Sequence, residues 1–265
     1  MKRITTGITL VLIMASCAGT ATNPDPADSV PVVRVLDGDS LVVDIDGTET
    51  EVRLLGVNTP ERDECFDAEA KARTIELAFD GIRLVGNEED RFGRLLRYAY
   101  ARDDTLINQQ LVAEGLAIAL SSGHALGNEF KQAEAEAFEQ GIGRWQPDAC
   151  GPAVGRAVEI TELEYDAPGD DARNRNGEWV EITNTGNRPA RLDGWSIQDE
   201  SSSHRFGFPS AFSLGPGAAV RVSSGCGEPT DHQLFWCDDD PVWSNGGDTA
   251  YLLDPAGNVV DRWAF

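Results

Sequence analysis

The chain has 265 residues, enough for one large domain or two ordinary ones, and its 41% hydrophobic content supports packed cores and excludes general disorder. It carries 22 Lys and Arg against 45 Asp and Glu, a formal charge of −23, and both halves are acidic. No basic face is therefore available to hold a long polyanion non-specifically, and any chemistry on nucleic acid must rest on a few focused cations and a bound metal.

At the N-terminus Lys2 and Arg3 precede an apolar run from Ile4 to Met14 and then Ala15-Ser16-Cys17, the order of an export signal. The run is too short to span a bilayer. The small residues before Cys17 resemble a bacterial lipobox, although Met14 stands where Leu is usual. The expectation is a signal peptide over 1–17, lipidation of Cys17, and a tether over 18–29 that holds a cell-surface lipoprotein off the membrane. An ordinary signal peptide and a secreted protein are the alternative. Without Cys17 there remain Cys65, Cys150, Cys226 and Cys237, an even set suited to an oxidising compartment. Three pairings are open; Cys65–Cys150 and Cys226–Cys237 keep each bridge within one domain and are expected. No Cys-x-x-Cys pair is present, which disfavours zinc.

From Val30 the pattern is strand-like: Val30 to Leu36, a turn at Asp37-Gly38, Leu41 to Ile45, a hairpin turn at Asp46-Gly47, and Thr50 to Val57. A helix from Asp67 to Phe79 places Ala68, Ala72, Ile75 and Phe79 on one face. Ile82 to Val85 and Leu95 to Tyr100 follow as strands. Thr105 opens a helix carrying Leu106, Leu111 and Val112 inward, and Asn128 caps a last helix with Phe130, Ala133 and Ala137 inward and Gly141 as its stop. Five strands with three helices predict a small barrel of the oligonucleotide-binding type over 30–150. After a Gly/Pro/Ala linker over 151–156, six short strands (158–163, 178–183, 190–197, 219–222, 249–253 and 259–263) predict a β-sandwich over 157–265. The fold class is thus a β-rich, two-domain protein.

Three segments carry chemistry: Asp37-Gly38-Asp39-Ser40, Arg53 through Glu61, and Asp90-Arg91-Phe92-Gly93-Arg94. Hard cations such as calcium take oxygen ligands, which Asp39, Asn58 and the Thr59 carbonyl supply if the first and third strands are neighbours. Gly38 gives the turn a permissive backbone, and Asp37 holds metal-bound water. Arg53 and Arg94 suit the extra negative charge that develops on a phosphodiester under attack. Glu61, fixed by Thr59-Pro60, is placed to orient and deprotonate water.

In this order the three segments resemble the staphylococcal nuclease (thermonuclease) family, over about residues 30–150 and including Glu114-Gly115-Leu116-Ala117. The resemblance implies a calcium-dependent endonuclease that cuts DNA and/or RNA, single strands favoured, and leaves 3′-phosphate ends. It implies Asp39, Asn58 and Thr59 as metal ligands, Glu61 as the base, and Arg53 and Arg94 as the phosphate clamp. Two departures stand out. Asn58 replaces the Asp of the best-studied member, which predicts weaker calcium binding, and Ser121-Ser122-Gly123-His124 replaces the tyrosines that line the family's nucleotide site. His124 reads as a surface residue.

The second half resembles the lamin-tail domain, an immunoglobulin-like sandwich, through Glu178 to Asn184, Leu192-Asp193-Gly194-Trp195 and Trp243 to Asp248. Its tryptophans read as core and Asp238-Asp239-Asp240 as solvated surface. The resemblance implies an interaction module with an unknown partner, and a monomer is expected. Two rival readings are a non-catalytic nucleic-acid or protein binding protein with a degenerate barrel, and a glycosidase using Asp39 and Glu61. Arg53 and Arg94 speak against both, since a neutral glycoside has no use for a guanidinium clamp.

Overall fold

The computed structural model describes residues 29–155, 157–201 and 203–265. The expected export signal, Cys17 and almost all of the expected tether lie outside the described residues. Among the described residues no helix is long and apolar enough to cross a membrane.

The first half is a barrel of strands β1 (Ser29–Val30), β2 (Val32–Val35), β3 (Ser40–Ile45), β4 (Thr48–Leu54), β6 (Ile82–Glu89) and β7 (Leu95–Tyr100). They run in the order β1-β6-β7-β4-β3-β2, with β4 and β7 parallel. β1 and β2 are one extended stretch interrupted at Pro31, which has no N–H to give a ladder; its carbonyl accepts the Asp44 N–H at 2.9 Å. That single stretch pairs with β6 at one end and β3 at the other, so the sheet curls back on itself. Asp46 and Gly47, both at positive φ, make the expected two-residue hairpin between β3 and β4.

The run expected from Thr50 to Val57 divides. Gly56 takes φ +79°, the chain leaves the sheet, and β5 (Val57–Asn58) pairs instead with β8 (Ile118–Ala119). Helices α1 (Asp67–Leu77), α2 (Ile107–Ala113) and α3 (Gly127–Gln140) cover a core containing Leu41, Val52, Leu54, Ile82, Leu111 and Phe130. The inward face of α1 differs from expectation. Ala68, Ala72, Ile75 and Phe79 are exposed, Phe79 by 83%, while Ala70 and Thr74 are buried. Thr74 turns inward because its hydroxyl donates to the Gly38 carbonyl at 2.6 Å. Asn128 makes no cap; α3 starts at Gly127 and ends, as expected, at Gly141 with φ +60°.

The second half is a sandwich of two four-stranded sheets. One has the order β16-β15-β10-β9, from β9 (Val158–Glu164), β10 (Trp179–Asn184), β15 (Ala219–Ser223) and β16 (Gln233–Phe235). The other has the order β13-β12-β17-β18, from β12 (Ser196–Gln198), β13 (Arg205–Gly207), β17 (Thr249–Leu253) and β18 (Val259–Ala264). The expected strand 190–197 is broken by a turn at Leu192 to Trp195, so β11 (Ala190–Arg191) pairs with β14 (Ser213–Leu214) while β12 joins the second sheet. Strands of two or three residues such as β13, β14 and β16 have no readable periodicity, and none was expected. Trp195 and Trp243 are buried, as expected, whereas Trp263 is exposed. Both expected disulfides, Cys65–Cys150 and Cys226–Cys237, are present.

The halves meet across a seam with an apolar patch and a buried polar network. Ile118, Ala137 and Trp145 pack on Tyr251 and Leu253. Within it the fully buried Glu134 accepts from Lys131 at 2.5 Å, Tyr251 at 2.9 Å and the Ala119 N–H at 3.2 Å, and Lys131 also reaches Glu200 at 3.0 Å. Removing one member of such a buried set costs about 3–5 kcal/mol, because the partner charge is left uncompensated.

Asp248 sits at the same seam and accepts the N–H groups of Glu200, Ser244 and Thr249. Burial, with Asp199 and Glu200 close by, pushes its carboxyl up to about 7. Between the ordinary carboxylate range and pH 7 the folded chain thus holds a proton that the unfolded chain has lost, so stability falls as pH rises through that window. His204, raised by its hydrogen bond to Asp199, acts in the same direction: its contribution is present below its unfolded value and lost as pH rises through the folded one. The melting temperature should fall from pH 4 to pH 8, and Asp248→Asn should flatten the part between pH 4 and 7. An equally steep curve in the variant would dismiss Asp248 as its source.

Candidate active site

The β3–β4 hairpin brings the loop before β3 beside β5, and this gathers Asp39, Arg53, Asn58 and Thr59. Asp39 is buried. Its Oδ2 accepts the Thr59 N–H at 2.7 Å and the Thr59 hydroxyl at 2.9 Å, and lies 3.0 Å from Arg53 Nη1. Its Oδ1 accepts from the Ser40 hydroxyl at 3.1 Å. Burial is the largest influence on the Asp39 carboxyl and pushes it up; Arg53 opposes this, Asp37 adds to it, and the Thr59 hydrogen bonds oppose it, with a net rise. Asp37 accepts the Asp39 N–H at 3.1 Å and so shapes the loop.

Gly38 is required here for a different reason from the one expected. Its φ is not positive; instead an added Cβ would lie 2.7 Å from both Ala70 Cβ and Thr59 Cγ2. The glycine is a spacer that lets α1 approach the site.

Arg53 is held by the protein at both Nη atoms. Nη1 donates to the carbonyls of Val57 (2.8 Å) and Leu54 (3.2 Å), and Nη2 to Asn58 Oδ1 at 3.1 Å. Its fork therefore spans the side-chain oxygens of both Asp39 and Asn58. Glu61 is exposed, and its carboxylate has no protein partner among the described residues, which leaves it open to water. Arg94 is not drawn into this cluster. Its Nε donates to Asp90 at 2.7 Å and its Nη1 lies 4.0 Å from Glu51. Burial pushes the Asp90 carboxyl up, but hydrogen bonds from Arg94 and from the Phe92 N–H outweigh it and hold it below the ordinary range.

Asp39, Asn58 and the Thr59 carbonyl are an all-oxygen set, which fits a hard cation. Among the described residues no group of three or more His, Cys, Asp and Glu side chains stands in metal-holding arrangement. With one carboxylate and an arginine touching the same oxygens, the set can supply little charge of its own. A model of the family described as "Staphylococcal nuclease homologue" matches residues 51–147, and one described as "Lamin Tail Domain" matches residues 152–265. A micrococcal nuclease of Shigella flexneri is 33% identical over 132 residues, which is 46% of this chain and 76% of that relative.

The chain belongs to the staphylococcal nuclease family. A thermonuclease of Staphylococcus hyicus is similarly related, 34% identical over 138 residues, covering 44% of this chain and 81% of the relative. In this chain the lamin-tail sandwich is seated beside the site. Asn58 Nδ2 donates to the carbonyl of Glu200, in the sandwich, at 3.3 Å. Ser121, in the segment where the tyrosines were missed, gives its N–H (2.6 Å) and hydroxyl (2.7 Å) to the Glu200 carboxylate. His124 is not the surface residue expected. It is half-buried, one ring nitrogen 2.9 Å from the Tyr98 hydroxyl and the other 2.8 Å from the Leu120 carbonyl.

Glu200 carried no local signal, because its partners lie 79 and 142 positions away in the chain. Its contact gives Asn58 a reason: a carboxylate there would set an acceptor against an acceptor. Asn58→Asp should still tighten calcium, since it adds a charge to the ligand set, but it should cost about 1–3 kcal/mol of stability through the unsatisfied Glu200 carbonyl. Calorimetric calcium titration and thermal melting of the same variant read the two effects separately. Unaltered calcium affinity would refute the first and an unaltered melting point the second.

Proposed function

We propose that the chain is an exported, calcium-dependent endonuclease that hydrolyses phosphodiester bonds of DNA and/or RNA. The observation that carries this reading is the convergence of Asp39, Arg53, Asn58 and Thr59 in one partly buried cluster, with the unpaired Glu61 carboxylate two residues beyond Thr59. Asp39, Asn58 and the Thr59 carbonyl would hold calcium. When bound, the ion supplies polarisation of a phosphate oxygen.

Arg53 is placed to neutralise charge on the phosphorus oxygens, because its planar fork already lies along the edge of the ligand set. Glu61 orients a water and takes its proton as the water oxygen bonds to phosphorus. The bond from phosphorus to the 5′ oxygen breaks, the leaving oxygen takes up a proton, and the products are a 3′-phosphate and a 5′-hydroxyl. Arg94, held at Nε by Asp90, is the second arm of the clamp and offers its Nη groups to the bound phosphate. The strongly acidic composition implies weak substrate binding that relies on these few cations.

The division proposed is a signal peptide over 1–17, a tether over 18–29, the nuclease domain over 30–150, a linker over 151–156 and the sandwich over 157–265. Cys17 would anchor the chain to a membrane through lipid. The decisive assay digests single-stranded DNA and RNA with calcium and then with chelator, and identifies the ends. Cutting that needs calcium and leaves 3′-phosphates is expected, with Arg53→Ala and Glu61→Gln each lowering kcat at least about a hundred-fold. No cutting at any calcium concentration would leave a non-catalytic binding protein; full activity in chelator would remove calcium from the mechanism. Separately, Cys17→Ser should move the protein from the membrane to the soluble fraction, and an unchanged distribution would argue against the lipid anchor.

A further inference from the structure

Beside the site, the segment Asn58 to Glu61 forms one wall of a cleft of about 190 Å³ whose other wall comes from the sandwich. Arg144 lies in the barrel's share of it, and Gln198, Ser201 and Arg205 in the sandwich's share. Liquid water takes roughly 30 Å³ per molecule, so the space admits a phosphate group.

Arg144 is the anomaly. It is only 8% exposed, yet its Nε has no hydrogen-bond partner and no carboxylate stands in ion-pair contact with it among the described residues. Glu134, a buried acid of the same half, is already occupied by Lys131, Tyr251 and the Ala119 N–H. Burial is the main influence on the guanidinium and pulls its pKa down, opposed in turn by Tyr251, Glu134 and Glu64, none of which is hydrogen-bonded to it. The Trp145 ring, 5.5 Å from Cζ, is a weak partner for the charge; a buried charge with no acid beside it is costly, and a guanidinium does not escape by losing its proton. The position is also rigid. The Arg144 N–H donates to the Gly115 carbonyl at 3.0 Å, and Gly143, at φ +59°, packs so tightly that an added Cβ would lie 2.4 Å from the Glu114 carbonyl oxygen.

The rest of the cleft is donor-rich as well. Arg205 pairs with Glu64 and donates to Gln198 Oε1 at 2.6 Å, which leaves the Gln198 amide nitrogen without a protein partner among the described residues. Glu64 is thereby neutralised, and it also accepts the Glu61 N–H at 3.0 Å. What remains unmatched next to Asn58 and Thr59 is one guanidinium and one amide N–H₂, together with the exposed Glu61 carboxylate, which also lines the cleft and which the proposed reaction uses as its base. We infer that this interdomain cleft is an anion subsite that takes a phosphate of the substrate strand neighbouring the one being cut, held by Arg144 from the nuclease half and by Gln198 and Arg205 from the lamin-tail half. The inference rests on the nuclease reading for the identity of its strand, and it makes the sandwich part of the substrate site. It also supplies cationic grip that the acidic surface lacks.

The test uses the full chain and two probes. In calcium-free buffer, inorganic phosphate titrated by calorimetry should bind the wild type and bind Arg144→Met at least about ten-fold more weakly. With calcium, oligothymidylates of two to six nucleotides should show KM rising in Arg144→Met about ten-fold more for the longer strands than for the dinucleotide. The slope of log affinity against log salt for the longer strands should fall by about 0.7, the loss of one phosphate contact on a single strand. If Arg144→Met does not fold, the exposed position supplies the same readings: Arg205→Gln should weaken phosphate and raise the long-strand KM by about three-fold, and no change in it would overturn the subsite. If the wild type cuts strands but Arg144→Met binds phosphate and strands like the wild type with an equal salt slope, the subsite is refuted and the nuclease reading stands. If the wild type cuts nothing yet binds phosphate through Arg144, the subsite stands and the nuclease reading falls.

Discussion

Much of this molecule hangs on one residue of the sandwich, Glu200. Its carboxylate accepts the Ser121 N–H and hydroxyl, the Lys131 ammonium and the Thr249 hydroxyl, its carbonyl accepts from Asn58, and its own N–H goes to Asp248. A nearly buried carboxylate survives only when its oxygens are filled, and here most of the filling groups belong to the barrel. The consequence is a fixed relation between the sandwich and the β5–β8 pair, and hence between the sandwich and the candidate ligand Asn58.

That relation changes how the two departures from the family pattern read. An asparagine at position 58 looks, from composition, like a weakened metal ligand. In the fold it is also a donor, bonded on one side to the sandwich and on the other to Arg53. The serine at 121 looks like a lost stacking platform, yet its N–H and hydroxyl both bind the Glu200 carboxylate of the sandwich. The nuclease half has been refitted to carry a neighbour.

Charge tells a similar story at larger scale. A chain of −23 has little to attract a polyanion at long range, so its cations matter by position. Arg53 is pre-oriented by two backbone carbonyls, Arg94 is held by Asp90, and Arg144 is buried with no acid against it. These three guanidinium groups differ in how far they are neutralised, and the one with no acid beside it lines the cleft between the halves.

The sequence by itself determined the two halves, most of the barrel strands and the Asp39, Asn58, Thr59 cluster, and it left three disulfide pairings open, of which the structure has the expected one. The halves, strands and cluster are legible because hairpin turns, alternation and short motifs act between residues close in the chain, and because Asp37 to Ser40 and Arg53 to Glu61 meet through one hairpin. The inward face of α1 was misread because a hydroxyl-to-carbonyl bond from Thr74 to Gly38, 36 residues apart, outweighs the apolar stripe of Ile75 and Phe79. Only the tertiary structure decided the seam, the role of His124 as a bracket, and the cleft of Arg144 and Arg205. Those depend on contacts between groups up to 142 positions apart, whose partners are chosen by how two finished surfaces fit, and no local pattern in the chain encodes that choice.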